Sequence, residues 1–440
     1  FYSFQLVGNS IDYTAAKGSG GLLCFRFDTG NDITLSNNSS IKYAKSDANG
    51  GCFYINGTVN LKNYFSLHDN IFGESYANGD GGVLWFTCNM PLRELPFTVM
   101  NNTVTLSATS RGKGGFAFIN GSIRQSMWFR GNNVQSTSAV LDGGFVFLAP
   151  NSLQAERLIF TNNKITDSSK SIAETGGILS GEGSVKVIEV ENNRFNKLYA
   201  MKSGGAFFWK NTIHSDFPTF DVAVRLNRLT GSAESAKSSG GFMYVEADTI
   251  SNLYIKDNYF EKLSALQSGG GFFMKSSGKG ISDITLYKDT VANALALEQN
   301  GGFACFLSSS GVDNLSIDEN LFKGGEFKAG ADGGIVQVTA NRYRKLSVYK
   351  NQFTGTLKAI NGGFLCLYGN IPVHPWSDKI TFLNNTVSAS ASVTNGGFVL
   401  ISGNQDQSFL FKGNEFSGSM NALNKGGIVA LVNGAGNCDS

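Results

Sequence analysis

The chain has 440 residues, including 54 Gly, 35 Phe and only 6 Pro; 41% are apolar, 16% are charged and the formal net charge is +2. Global disorder is excluded by that apolar content, and with neither sign dominant no nucleic acid or other polyanion partner is expected. No apolar run approaches the roughly 18 residues of a membrane span, and six Cys in this length make no disulfide framework.

The first predicted element is a strand in which Phe4 and Leu6 alternate, with Asn9 three residues beyond Leu6. Gly20-Gly21 follows and opens a short apolar run. Both marks then recur to the end of the chain. Gly-Gly pairs begin at 20, 50, 81, 114, 143, 176, 204, 240, 269, 301, 333, 362, 396 and 426, with no interval shorter than 28 or longer than 36 residues. The interleaved polar mark falls at Asn9, Asn38, Asn70, Asn102, Asn132, Asn163, Asn193, Asn227, Asn258, Asp289, Asn320, Asn351, Asn385 and Asn414. A repeat of about 31 residues, held in phase this many times, is the signature of a solenoid.

Each mark predicts a strand. The residues five and three before the Asn are apolar in every copy, from Phe4/Leu6 to Phe409/Phe411, so that pair faces inward. After Gly-Gly, as in Phe116-Ala-Phe-Ile119, the second and fourth residues are the more constantly apolar and are expected inward, the first and third outward. A small-residue stretch such as Ser388-Ala-Ser-Ala391 leaves room for a third short strand. The fold expected is all-β: one right-handed parallel β-helix of about 14 coils running through residues 1–440 and forming a rod of roughly 65–70 Å. The Asn, placed at a turn where it can take a left-handed conformation, would stack its amide on its neighbours as an internal ladder. Gly-Gly marks a corner needing positive φ or close backbone approach. All six Pro fall between the Gly-Gly strand and the next Asn strand, which makes that corner the loop edge, with longer insertions around 87–97, 210–221 and 369–379.

Gly-Gly-apolar alternating with Phe-x-x-Asn, literal at Phe129, Phe160, Phe382 and Phe411, resembles the polymorphic outer membrane protein repeat family of chlamydial and protist surface proteins. The resemblance covers the whole chain and implies the β-helix fold and an extracellular or cell-surface location. It implies no activity. The membrane barrel that ends bacterial members has no counterpart before Asn437-Cys-Asp-Ser440.

The chemistry-bearing residues are sparse. A glycan-cleaving β-helix needs converging carboxylates on neighbouring coils. Aligned by coil, Glu189 and Glu191 lie between Ile159/Thr161 and Ala223/Arg225, and Asp318-Glu319 lies between Tyr287-Lys288 and Tyr349-Lys350, an arrangement of cross-strand ion pairs. His68 and Asp69 are neighbours on a strand, where side chains point oppositely, so no dyad is expected. His214, His374 and Trp376 lie in the insertions as a candidate loop recognition site. Cys24, Cys52, Cys305 and Cys366 occupy the Gly-Gly strand as apolar fillers, whereas Cys88 and Cys438 lie in loops and could pair outside the chain. No zinc spacing or phosphate loop is present, and neither cofactor nor metal is expected. Sequons stand at Asn37, Asn38, Asn56, Asn101, Asn120, Asn314 and Asn384, about the number that composition alone produces. Asn38 is a ladder residue turned inward.

The function expected is that of a non-enzymatic extracellular structural or adhesive β-solenoid. A head-to-tail filament subunit and a pectin-lyase-like enzyme are the alternatives. The apolar outer face of the Phe-rich strand (Phe116/Phe118, Phe145/Phe147, Phe242/Tyr244) is too large to stand bare, so the chain's own segments or a lateral protein or glycan partner should cover it. Repeat strands at both ends, without polar caps, imply further copies or continuation of the solenoid there. With no Met at Phe1, the chain reads as processed or cut from a longer one.

Overall fold

Two turns at fixed residues build every repeat. The computed structural model describes residues 1–109, 111–166, 174–212, 218–230, 236–370, 380–404 and 408–432, with the backbone alone at 151 and 152. In all fourteen repeats the residue just before the ladder position has a positive φ, from Gly8 (φ 74) through Asn162 (φ 57) to Gly413 (φ 67). The ladder residues themselves do not, which corrects the expectation that the Asn would be the left-handed residue. The turn is completed one position earlier, and the Asn is left free to aim its amide into the coil. At the second corner the two glycines divide the work. The first has positive φ in every copy. The second is needed for closeness: a Cβ on Gly82 would stand 2.0 Å from the Gly115 carbonyl oxygen of the next coil.

Between these corners the chain is strand, and no helix occurs among the described residues. Pairing is parallel and repeats at one-coil spacing: Phe4 with Ile33, Phe129 with Phe160, Leu346 with Ile380. The third strands form their own parallel stack, as where Gln352–Lys358 pairs with Thr386–Asn395. The chain is thus a right-handed parallel β-solenoid of about 13 turns, the number that fourteen marks enclose. Its contacts divide into two compact units, Phe1–Pro218 and Thr219–Ser440, each built in this way.

The third corner differs from expectation. In many repeats the Gly-Gly strand runs without a loop into the next Asn strand, giving single strands such as Phe53–His68, Phe272–Tyr287 and Val336–Tyr349. The insertion around 87–97 does separate two strands, Leu84–Asn89 and Phe97–Met100, with Pro91 and Pro96 between them. Pro150 instead sits inside the strand Val146–Thr161, where the register shifts between Leu148 and Leu153. A bulge spares proline the ladder hydrogen bond it cannot make. Pro372 and Pro375 lie outside the described residues.

The core follows the sequence pattern along the Asn strand: Ile33, Leu35, Phe65, Leu67 and Val348 are fully buried. Past Gly-Gly the second and fourth residues are buried as expected, as at Ala117, Ile119, Val146 and Leu148, but the first residue departs from the pattern. Phe116, Phe145, Phe242, Phe303, Phe364 and Phe398, first after the glycines and expected outward, are at most 1% exposed. They sit in the corner before the strand begins, where alternation does not yet apply, and they fill the coil interior. Phe116 packs on Phe72 at 5.8 Å and on Phe145 at 4.9 Å between ring centroids.

The Asn ladder forms as expected. Asn163 donates from its backbone N and from Nδ2 to Asn193 Oδ1, at 2.9 and 3.0 Å. Its Nδ2 also reaches the Phe129 carbonyl at 2.9 Å, and its own Oδ1 receives both donors of Asn132 at 3.0 Å. The same three-way pattern recurs at Asn102, Asn258, Asn320, Asn351 and Asn385. Asn163→Ala should therefore destabilise by about 1–3 kcal/mol, since buried partners on two coils lose their bonds. Thr161→Ala, on the outer side of the same strand, should change stability by less than about 0.5 kcal/mol. Equal shifts in denaturant midpoint would contradict the ladder.

Candidate functional site

Function in a solenoid lies on its lateral faces, and three features occupy them. The first is a column built by the third residue after Gly-Gly, which points away from the core. In the first unit Tyr54 stacks on Trp85 at 4.4 Å, Trp85 on Phe118 at 6.1 Å and Phe118 on Phe147 at 5.6 Å, with interplanar angles of 6°, 6° and 20°. In the second unit Tyr244 stacks on Phe273 at 5.0 Å. Rings stacked along the column hide their faces in one another and present edges. Tyr54, Phe147 and Phe273 are at most 9% exposed in consequence. Cys305 and Cys366, in the same column, are 1% and 0% exposed, and Tyr368 and Val432 pack on the neighbouring Cys366, Leu400 and Ala430. The chain's own side chains cover much of this face, and Trp85, Phe118, Phe208 and Tyr244 stay partly exposed on it.

The second feature is a polar ladder at the residue immediately before Gly-Gly. Asn49 Oδ1 accepts from the Asp80 amide at 2.8 Å, and Asp80 Oδ1 from the Lys113 amide at 2.8 Å. In the second unit Asn361 Nδ2 donates to Asp332 Oδ1 and Asn395 Nδ2 to Asn361 Oδ1, each at 2.8 Å. The sequence reading missed this row, although its signal was present: Ser19, Asn49, Asp80, Asp142, Thr175, Ser203, Asn300, Asp332, Asn361 and Asn395 all precede a Gly-Gly pair.

The third feature is charge pairing across coils. Arg157 bonds Glu189, Lys202 bonds Glu174 at 2.6 Å, Lys275 bonds Glu246 at 2.9 Å, and Lys358 bonds Glu326 at 2.9 Å. The register expected from sequence holds, with Glu189 beside Ile159 and Asp318 between Tyr287 and Tyr349. Among the described residues no three His, Cys, Asp or Glu side chains are grouped as a metal site.

His68 and Asp69 correct the sequence reading. His68 Nδ1 lies 2.7 Å from Asp69 Oδ2. Asp69 is a corner residue with φ 56, and that turn swings its side chain back onto the His. The pair stands in solvent, where such contacts contribute about 0–1 kcal/mol. His214, His374 and Trp376 lie outside the described residues, as does Cys438. Cys88 is no loop residue: it belongs to the strand Leu84–Asn89 and is 1% exposed. Burial pushes the thiols of Cys52, Cys88 and Cys305 up to about 12 and that of Cys366 higher still, so these are neutral packing groups and not nucleophiles. Of the sequon residues, Asn37, Asn101, Asn314 and Asn384 are exposed and Asn56 and Asn120 half-buried, whereas Asn38 is fully buried in the ladder.

Asp289 is the chemical exception inside the coil. Where every other ladder residue has Nδ2, it has a second acceptor, and its Oδ2 is buried without a hydrogen-bond partner. Burial drives its carboxyl up to about 7, opposed by donors from Asn258 and reinforced by the charge of Asp257.

No family model, no curated protein and no solved structure matches this chain.

Proposed function

We propose that this protein works as a non-enzymatic structural or adhesive element at the cell surface, a rigid lateral scaffold related in repeat type to the polymorphic outer membrane proteins. The observation that carries this reading is the pairing of outward acids with bases on adjoining coils, from Arg157–Glu189 to Lys358–Glu326. Such neutralised rows suit a regular display face, whereas glycan cleavage draws on carboxylates that converge on one bond. Backbone and amide ladders that tie each coil to the next favour stiffness, which a display scaffold requires. Antibody against the chain should label intact source cells, and mild external protease should remove the label. The purified protein should release neither reducing ends nor unsaturated uronate from polygalacturonate. Label seen only after permeabilisation, or turnover of the polymer, would overturn the reading.

A further inference from the structure

The aromatic column of the first unit has one missing step. Ser180 stands in register between Phe147 on one side and Phe208 on the other. At a strand spacing of about 4.8 Å the two rings are roughly 9–10 Å apart. That is two steps of a column whose rings elsewhere succeed one another at 4.4–6.1 Å. The result is a recess of about 240 Å³ with Phe147 and Phe208 at its ends.

Its floor has a defined hydrogen-bond polarity. Thr175 Oγ1 donates to Asp142 Oδ1 at 2.7 Å, which uses its one proton. The Ser180 hydroxyl, 2.8 Å from Thr175 Oγ1, must therefore be the donor of that pair. Ser180 Oγ is left as an acceptor, at the floor of a recess that it lines and only 3% exposed. An ammonium group reaches each aromatic wall, and the carboxylates of Asp142 and Glu182 balance the two charges. Lys113 Nζ lies 4.3 Å from the Phe147 ring centroid and 3.0 Å from Asp142 Oδ2, and Lys210 Nζ lies 5.9 Å from the Phe208 centroid. Leu148, Pro150, Gly181 and Glu182 complete the lining.

The geometry points to this recess as a binding site for an electron-rich aromatic ring that carries an O–H or N–H donor, the side-chain chemistry of tyrosine and tryptophan. The inserted ring restores the missing step, lying against Phe147 and Phe208 as their neighbours lie against each other. Its donor reaches Ser180 Oγ, and the flanking ammonium groups favour an electron-rich face. Burial of the Ser hydroxyl selects against rings with no donor. This chemistry is independent of where the protein resides.

Ligand-observed NMR titration of the whole chain with N-acetyltyrosinamide tests the site, with N-acetylphenylalaninamide as the ring without a donor. Saturable binding is expected, with the tyrosine compound tighter by roughly 2–10-fold, the range of one hydrogen bond. Ser180→Ala should erase that preference while keeping binding. Ser180→Phe should fill the step and abolish binding, with thermal stability unchanged or raised because the column is completed. Titration with p-cresol separates the sources: equal affinity assigns the site to a free phenol, weaker affinity to a tyrosine within a polypeptide. Absence of saturable binding, equal affinity for the two amides, or undiminished binding to Ser180→Phe would overturn the proposal.

Discussion

Asp289→Asn should raise stability at pH 8 by several kcal/mol and by much less at pH 4. In the ladder, Asn258 Nδ2 donates to the Val224 carbonyl and to Asp289 Oδ1, each at 2.9 Å, and Asn320 Nδ2 donates to the Leu286 carbonyl and to Asn351 Oδ1. By the same repeat the second oxygen of Asp289 faces the Ile255 carbonyl and Asn320 Oδ1, two acceptors. Only a proton on that oxygen resolves the conflict. Burial, with Asp257 nearby, raises the carboxyl to about 7, against roughly 3.9 for an unfolded Asp. A folded value above the unfolded one gives stability that is fully present below about pH 4 and is lost as pH rises through 7. Three units correspond to about 4 kcal/mol. The amide has no proton to lose and supplies the missing donors at every pH. Comparing variant with wild type by urea denaturation at both pH values cancels the other acids. A difference of the same size at pH 4 and pH 8 would show that Asp289 does not titrate in the ladder.

The repeat made most of the fold legible from sequence, because an error at one coil is corrected by thirteen others. Ladder residues, inward Asn-strand pairs and the register of Glu189 against Ile159 all followed from phase alone. What escaped lies at the corners, where period two stops. The left-handed residue precedes the ladder Asn, and at Leu226, Lys288, Glu319 and Lys350 it has no Gly, Asn or Asp to announce it. The first Phe after Gly-Gly turns inward for the same reason, and Asp69 turns back onto His68. The Ser180 recess was hidden differently. In one dimension Ser180 is merely a small residue in a variable column, and it becomes a site only when Phe147 and Phe208 stand beside it in register.

Phe116→Ala should be among the most damaging substitutions in the first unit, and Phe118→Ala, two residues on, a mild one. Phe116 is fully buried and touches Phe72 and Phe145 inside the coil. Truncation leaves a cavity that backbone ladders on both sides prevent from collapsing, and the expected cost is about 3–5 kcal/mol. Phe118 is half-buried in the outer column, between Trp85 at 6.1 Å and Phe147 at 5.6 Å. Its loss should cost about 1–2 kcal/mol, mainly the stacking with those two rings. Strict alternation from Gly115 gives both residues the same outward face and predicts two equal, small effects. Denaturant midpoints of the two variants decide between these readings, and near-equality would put the Phe116 ring outside the coil. The same corner position holds Phe145, Phe303, Phe364 and Phe398, all at most 1% exposed. The glycines before them explain this: a tight left-handed turn brings the chain close enough to the axis for the next side chain to point inward. The Gly-Gly pair therefore does more than turn a corner, because it sets which way the residue after it faces.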